Sequence, residues 1–290
     1  MRLNNKGFAI SVIIYSMIIL AIGILYLLLN VLNSRHNLSK QKNNEVVDYI
    51  NNQGVNTVVD ERANKIGTNR LINNNNGQLL YNSDTKNYYY YGTNPDNYIM
   101  FSGDLWRVIG VFNVNNVKYL KLIKNEPLKV ETANNHKIAE SNIFSYLNNE
   151  FYNNLSNKDM INPMYWKNSE YSTYMTPLNA FNEEKQVFST LKNYVGLIDG
   201  SDFGYAAGST YLGNNLSSYA SSINNNWLAL TNNYFTMSYI GTKLNIISNG
   251  NLVSTDNKTA HIYPSVYIKK DIFIIGGAGK SDDPFILSFN

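Results

Sequence analysis

The chain of 290 residues contains no cysteine and only three histidines, and these scarcities exclude several kinds of chemistry. Without thiols, the protein has no disulfide, no thiolate zinc site and no cysteine nucleophile. His36, His136 and His261 are far apart, and no two of them stand at the spacing that binds a metal on one helix face. A Gly-x-Ser-x-Gly nucleophile motif is also absent. The sequence therefore predicts no enzyme activity, no cofactor, no metal site and no catalytic residue.

Strong charge of either sign is absent as well. The 24 Lys and Arg residues are dispersed and nearly balanced by 21 Asp and Glu residues, which gives a formal net charge of +3. Because nucleic-acid binding needs a clustered basic surface, no nucleic-acid partner is expected. The polar character comes instead from asparagine and from 23 tyrosines. That composition fits either an AT-rich genome or selection for the amides and rings that bind sugars.

One long segment lacks charge altogether, namely residues 8–32, FAISVIIYSMIILAIGILYLLLNVL. At 1.5 Å per residue, about 25 helical residues cross a hydrocarbon core that is roughly 30 Å thick. The small-x-small cleavage site of a secretory signal peptide does not follow it. We therefore predict a transmembrane helix in a single-pass protein of the cell membrane, with the lipid bilayer as a partner.

This apolar segment divides the chain into five parts. A leader at 1–7 precedes the transmembrane helix at 8–32. Residues 33–53 contain no proline or glycine and end in an amphipathic pattern, which predicts a stalk helix up to Gly54. A linker at 54–77 includes a run of four asparagines at 73–76. The remaining residues, 78–290, are enough for one extracellular globular domain.

Short runs of apolar and aromatic residues dominate the start of that domain. They predict strands at 98–101 and 105–112, joined by a turn at Ser102-Gly103-Asp104. Apolar residues at helical spacing predict helices at 143–155 and 183–194. Further strands are predicted at 117–123, 195–198, 227–230, 235–239, 243–247, 262–268 and 285–289. This order indicates the α+β class, with helices inserted into a mixed, mainly antiparallel sheet.

The opening residues Asn5-Lys6-Gly7-Phe8 place a basic residue, a glycine and a phenylalanine at the head of the apolar segment. This pattern resembles the cleavage site of type IV prepilins. The resemblance implies that a prepilin peptidase cuts between Gly7 and Phe8, that 78–290 lies outside the cell, and that other pilin-like subunits are partners. The family usually has glutamate at the fifth position of the mature chain, where this chain has Val12. Some minor pseudopilins also lack this glutamate.

Several stretches of the domain carry a second resemblance. They are Leu105-Trp106-Arg107-Val108-Ile109-Gly110, Tyr146-Leu147-Asn148-Asn149-Glu150-Phe151-Tyr152, Val195-Gly196-Leu197-Ile198, Asn226-Trp227, Tyr263-Pro264-Ser265-Val266 and Gly276-Gly277-Ala278-Gly279. Together they resemble bacterial surface domains of the uncharacterised DUF6273 family. The resemblance implies a C-type-lectin-like fold, akin to formylglycine-generating enzymes, and names no ligand. Tyr263 stands where that pattern usually has arginine.

Two pairs of carboxylates are candidates for a functional role. Asp199 and Asp202 flank Gly200 like the start of a calcium loop, but Thr210 stands where the closing glutamate would be. A turn is the favoured interpretation. Glu183 and Glu184 are interpreted as the solvated first turn of a helix.

The densest aromatic cluster is Tyr88, Tyr89, Tyr90 and Tyr91, which are candidate ligand-contact residues. The alternative is a two-faced strand with two rings in the core. The leading functional hypothesis is a membrane-anchored, pilin-like surface protein, in the manner of a minor pseudopilin, with a non-catalytic domain for adhesion or assembly. The alternative is an uncleaved, membrane-tethered lectin-like module that binds a glycan or a peptide.

Overall fold

The computed structural model describes residues 17–27, 29–30, 78–115, 117–186, 192–268 and 273–288. Residues 17–27 and 29–30 are helical. Within these ranges, no helix has the length and apolarity needed to cross a membrane. The predicted α+β chain with a long membrane-spanning helix at 8–32, and the single-pass cell-membrane localisation built on it, are therefore contradicted.

Four predicted parts of the chain lie outside the described residues. They are the leader at 1–7, the processing site at Lys6, Gly7 and Phe8, the stalk at 33–53 and the linker at 54–77. These parts remain predictions.

From Gln78 onward the described chain is built mainly of strands. Those strands are β1 Gln78–Asn82, β2 Asn87–Tyr91, β3 Tyr98–Phe101, β4 Asp104–Val114, β5 Val117–Lys124, β6 Val130–Thr132, β7 Ser169–Glu170, β8 Val195–Gly196, β9 Tyr234–Ile240, β10 Lys243–Ser248, β11 Asn251–Thr255, β12 Thr259–His261, β13 Ser265–Ile268, β14 Phe273–Gly276 and β15 Phe285–Ser288.

Helices are few and short in the same ranges. They are α1 Asn142–Tyr146, α2 Tyr152–Asn154, α3 Pro177–Gln186 and α4 Gly200–Tyr205. A π-helical turn, Leu147–Phe151, joins α1 to α2, so the helix predicted at 143–155 is present with a bulge. Short 3-10 turns lie at Ile138–Glu140, Lys158–Met160, Ser209–Tyr211, Leu216–Ser218 and Ala220–Asn225.

The strands form two sheets. The larger has the order β14-β15-β3-β4-β5-β13-β8, with the β1–β2 hairpin added to β4 through β2. Its pairings are antiparallel except for the parallel pair of β15 and β3. The smaller sheet has the order β11-β10-β9-β12-β6, and both β7 and β12 run parallel to β9. The described architecture is thus a pair of mostly antiparallel, mixed sheets with few helices.

Local turn chemistry explains the hairpins. Ser102 and Gly103 have φ values of 52° and 81°, and Asn249 and Gly250 have values of 48° and 73°. Two consecutive residues with positive φ form the type I′ turn, whose twist matches that of paired antiparallel strands. The predicted turn between β3 and β4 is confirmed, and the β10–β11 hairpin uses the same device.

Two elements differ from their prediction. The helix predicted at 183–194 is wrong, because α3 begins at Pro177 and Asn193 instead forms an isolated bridge with Met164. The strand predicted at 227–230 is also wrong. The Asn226 side chain accepts a hydrogen bond from the Leu228 amide, which turns the chain there instead of extending it.

Candidate ligand-binding cleft

A cavity of about 520 Å³ opens between the larger sheet, α3 and the start of α4. This volume lies in the range of small-molecule sites. We call it the Lys121 cleft. Its floor residues are Lys121, Trp166, Glu184, Asp199, Asp202 and Tyr267, and its rim residues are Lys86, Lys167 and Lys185.

Lys121 is a charged residue in the interior of a central strand. It lies on β5 opposite Gly110 of β4 and Tyr267 of β13, and its exposed fraction is 0%. A lysine buried so deeply is stable only when it is paired and hydrogen-bonded. Its environment must therefore supply counter-charge.

Two carboxylates supply that charge. Lys121 Nζ donates to Asp202 Oδ2 at 2.6 Å and to Asp199 Oδ2 at 2.9 Å. The Asp202 side chain is 1% exposed, whereas that of Asp199 is 20% exposed and so reaches the open cavity. One ammonium between two carboxylates leaves the floor with one excess negative charge.

Three rings surround the same ammonium group. The distances from Lys121 Nζ to the ring centroids are 5.2 Å for Phe112, 5.5 Å for Trp166 and 5.2 Å for Tyr267. These distances are within cation–π range. The rings also exclude water from the ion pairs, which strengthens them.

The α4 start holds both aspartates in place. Asp199 precedes the helix, and its amide donates to Asp202 Oδ2 at 2.9 Å. This contact caps the first turn of α4. The sequence interpretation of a turn at these residues missed their shared partner, Lys121, which lies about 80 positions earlier in the chain.

Glu184 joins α3 to α4. Its Oε1 accepts from the Ser201 amide at 3.0 Å and from the Tyr171 hydroxyl, and its Oε2 accepts from the Ser201 hydroxyl. The Tyr171 hydroxyl in turn accepts from the Gly200 amide at 3.1 Å. Glu184 therefore lies near the end of α3 and is bonded to the protein, in contrast to the predicted solvated first turn.

Burial changes the acidity of these groups. It raises the pKa of Glu184 to about 8, and the charges of Asp199 and Asp202 add to that shift. It raises the pKa of Asp202 to about 6, although Lys121 acts in the opposite direction. Burial alone would lower the pKa of Lys121, but the two aspartates outweigh it and hold that pKa well above its usual value.

Two buried polar atoms of the floor have no hydrogen-bond partner. They are Asp202 Oδ1, an acceptor, and Trp166 Nε1, a donor. Leaving such an atom unpaired costs about 1–3 kcal/mol, and more for a charged group. Both atoms have almost no accessible surface, so they lie behind the surface that lines the cavity.

Close packing against the backbone of β8 positions the Trp166 ring. A Cβ atom added to Gly196 of β8 would lie 2.2 Å from Trp166 Cε3, so only glycine leaves room for this ring. A Cβ atom at Gly110 of β4 would lie 1.9 Å from the Tyr88 carbonyl oxygen. These two glycines let β2 and Trp166 approach the sheet closely.

The tyrosines singled out in the sequence lie elsewhere. Tyr88, Tyr89 and Tyr90 are buried in the core, and Tyr91 is half-buried. The Tyr89 ring stacks on Tyr205 with centroids 4.2 Å apart. None of these four residues lines the Lys121 cleft.

Comparison of the chain with known protein families, with curated proteins and with solved structures found no match. The resemblances to type IV prepilins and to DUF6273 surface domains therefore remain predictions. Among the side chains that the structure describes, no group of three or more potential ligands is placed to hold a metal ion.

Proposed function

We propose that this protein is a non-catalytic binding protein that accepts a saccharide residue in the Lys121 cleft. The observation that carries the proposal is a cavity of small-molecule size that combines aromatic rings with the partly exposed carboxylate of Asp199. Aromatic faces beside a hydrogen-bonding group are what a sugar ring needs on its apolar and polar sides.

A hydroxyl group matches this floor better than an ammonium group does. A hydroxyl donates to an acceptor such as Asp199 and accepts from a donor such as Lys167, whereas an ammonium group only donates. The cation–π position is also taken by Lys121. The Tyr165 ring, which is 44% exposed, offers apolar surface to the C–H face of a sugar.

A cleft lined by carboxylates suggests glycoside hydrolysis. That reaction needs one carboxylic acid that can donate a proton to the leaving group. The raised pKa of Glu184 fits an acid, but both of its oxygens accept hydrogen bonds from Ser201 and Tyr171. These contacts favour a structural role, so we propose binding without turnover.

Isothermal titration of the full chain with a panel of neutral and acidic mono- and disaccharides tests the proposal. We expect at least one saccharide to bind with a dissociation constant of about 10 μM to 1 mM and to be recovered intact. The D199N variant should bind that sugar about tenfold more weakly, because it loses a charged acceptor that reaches the cavity.

The matched control is D256N, since Asp256 pairs with Lys243 on the surface and does not line the cleft. Its affinity should equal that of the wild type. The proposal fails if no saccharide binds, if the bound sugar is hydrolysed, or if D256N and D199N weaken binding equally.

A further inference from the structure

The rim of the Lys121 cleft carries three lysines that form no salt bridge within the part of the chain that the structure describes. Lys86, Lys167 and Lys185 line the same cavity as the floor. In the described part of the chain, the salt bridges involve other lysines, and the cleft carboxylates are engaged with Lys121, Ser201 and Tyr171. The rim is therefore positive while the floor has one excess negative charge.

These lysines are anchored to defined positions. The Lys86 backbone has a φ of 60°, and its amide donates to the Asn82 carbonyl at 2.9 Å in the β1–β2 turn. Lys167 Nζ lies 3.4 Å from the Glu184 carbonyl and 3.5 Å from the Lys185 carbonyl. Lys185 Nζ lies 5.0 Å from the centroid of the Phe181 ring. Three segments, namely the β1–β2 turn, the residues before β7 and the end of α3, thus present ammonium groups to one opening.

Lys167 also has a reason to favour an added negative charge. It is half-buried, and burial lowers its pKa because the charged form loses hydration, although the nearby charge of Asp199 acts in the opposite direction. An anion at the rim would restore favourable interactions to this ammonium group.

We infer that the preferred ligand is an acidic saccharide, whose hydroxyls contact the floor and whose carboxylate or phosphate lies among the rim lysines. This inference rests on the proposed saccharide binding and adds the charge of the ligand to it. The negative floor repels the anionic group and the positive rim attracts it, so the charge pattern also fixes the orientation of the sugar.

Titration of the full chain with matched sugars tests the inference. The probes are glucose, glucuronate and glucose 6-phosphate, with galactose, galacturonate and galactose 6-phosphate as a second set. The readout is the ratio of affinities between an acidic sugar and its neutral counterpart. We expect a ratio of at least about ten at low salt, falling as NaCl is added because exposed charges are screened beyond roughly 10 Å at 0.1 M.

The triple variant K86Q/K167Q/K185Q should bring this ratio close to one. The control variant K243Q, which changes a lysine outside the cleft, should keep the ratio of the wild type. A preference for the uronates identifies a carboxylate as the acidic group, and a preference for the sugar phosphates identifies a phosphate. If neutral sugars bind and their acidic counterparts bind no better, the charge inference is overturned while saccharide binding stands. If none of the six sugars binds, and the wider panel is also negative, both proposals fall.

Discussion

Lys121 links the stability of the fold to the chemistry of the cleft. It is fully buried, it bonds two aspartates, and three rings enclose its ammonium group. A buried ion pair contributes little net stability over an apolar replacement of the whole cluster, but removal of one partner leaves the others uncompensated. This residue therefore gives a direct stability prediction.

The K121M variant should lower the free energy of unfolding by about 3–5 kcal/mol, because Asp199 and Asp202 would remain buried without their cation. Urea denaturation of the variant and the wild type measures the difference. As a control, K243M removes an ion pair whose side chains are 50% and 75% exposed, and should cost at most about 1 kcal/mol. Equal losses in the two variants would contradict the role assigned to Lys121.

Glu184 gives a prediction for pH. Its pKa is about 8 in the folded protein and about 4.3 in an unfolded chain, so the folded state binds more protons between these values. Its contribution to stability is present at low pH and is lost as pH rises through about 8. Between pH 6 and 8 the free energy of unfolding should fall by up to about 1.4 kcal/mol per pH unit.

The E184Q variant should flatten that slope, because it removes the titrating group. The adjacent E183Q variant, whose side chain is absent from the cleft lining, should keep the slope of the wild type. Denaturation curves at pH 6, 7 and 8 measure it. A slope that persists unchanged in E184Q would show that another group is responsible.

At the scale of elements, the strands and their turns are the part that the sequence predicts well. β3 and β4 are mainly apolar and aromatic, and Ser102-Gly103 encodes the turn between them. The helix predicted at 183–194 was wrong for a local reason. Glu183-Glu184 resembles an acidic first turn, whereas the Thr176 hydroxyl caps the Asn179 amide at 3.2 Å and Pro177 opens the helix.

The cleft itself could not be predicted in the same way. Asp199 and Asp202 have a recognisable capping spacing, but their partner Lys121 comes from a strand in another part of the chain. Trp166 is drawn into the site by its packing on Gly196, which no local pattern encodes. Pairing between distant segments depends on the complete fold, so a single sequence leaves it open.

Gly196 provides the prediction at this scale. The G196A variant places a Cβ atom 2.2 Å from the Trp166 ring, which should destabilise the protein by about 1–3 kcal/mol or more and shift tryptophan emission. The control is G213A, where an added Cβ meets nothing within 4 Å. Its stability should change by at most about 0.5 kcal/mol. An undisturbed G196A variant would argue against the described packing of Trp166.

At the scale of the whole molecule, the described chain encloses one polar cluster between a large sheet and two short helices. The cluster has a fixed ion triad, a pair of unsatisfied atoms and a positive rim. These features support the proposed ligand binding and assign no catalytic step. Asp199 and Lys121 belong both to the buried ion pairs and to the lining of the cleft. Substitutions at these two residues should therefore change both the stability of the protein and its affinity for the ligand.

The most direct test uses the tryptophan of the cleft. Of the three tryptophans in the sequence, Trp166 lines the cavity, and Trp106 and Trp227 do not. A saccharide that binds in the titration should change the tryptophan emission of the wild type with the same dissociation constant. We predict that this change disappears in W166F and persists in W106F, which replaces a fully buried indole whose Nε1 has no partner. An emission change that survives in W166F and is lost in W106F would place the ligand outside the Lys121 cleft and contradict the account.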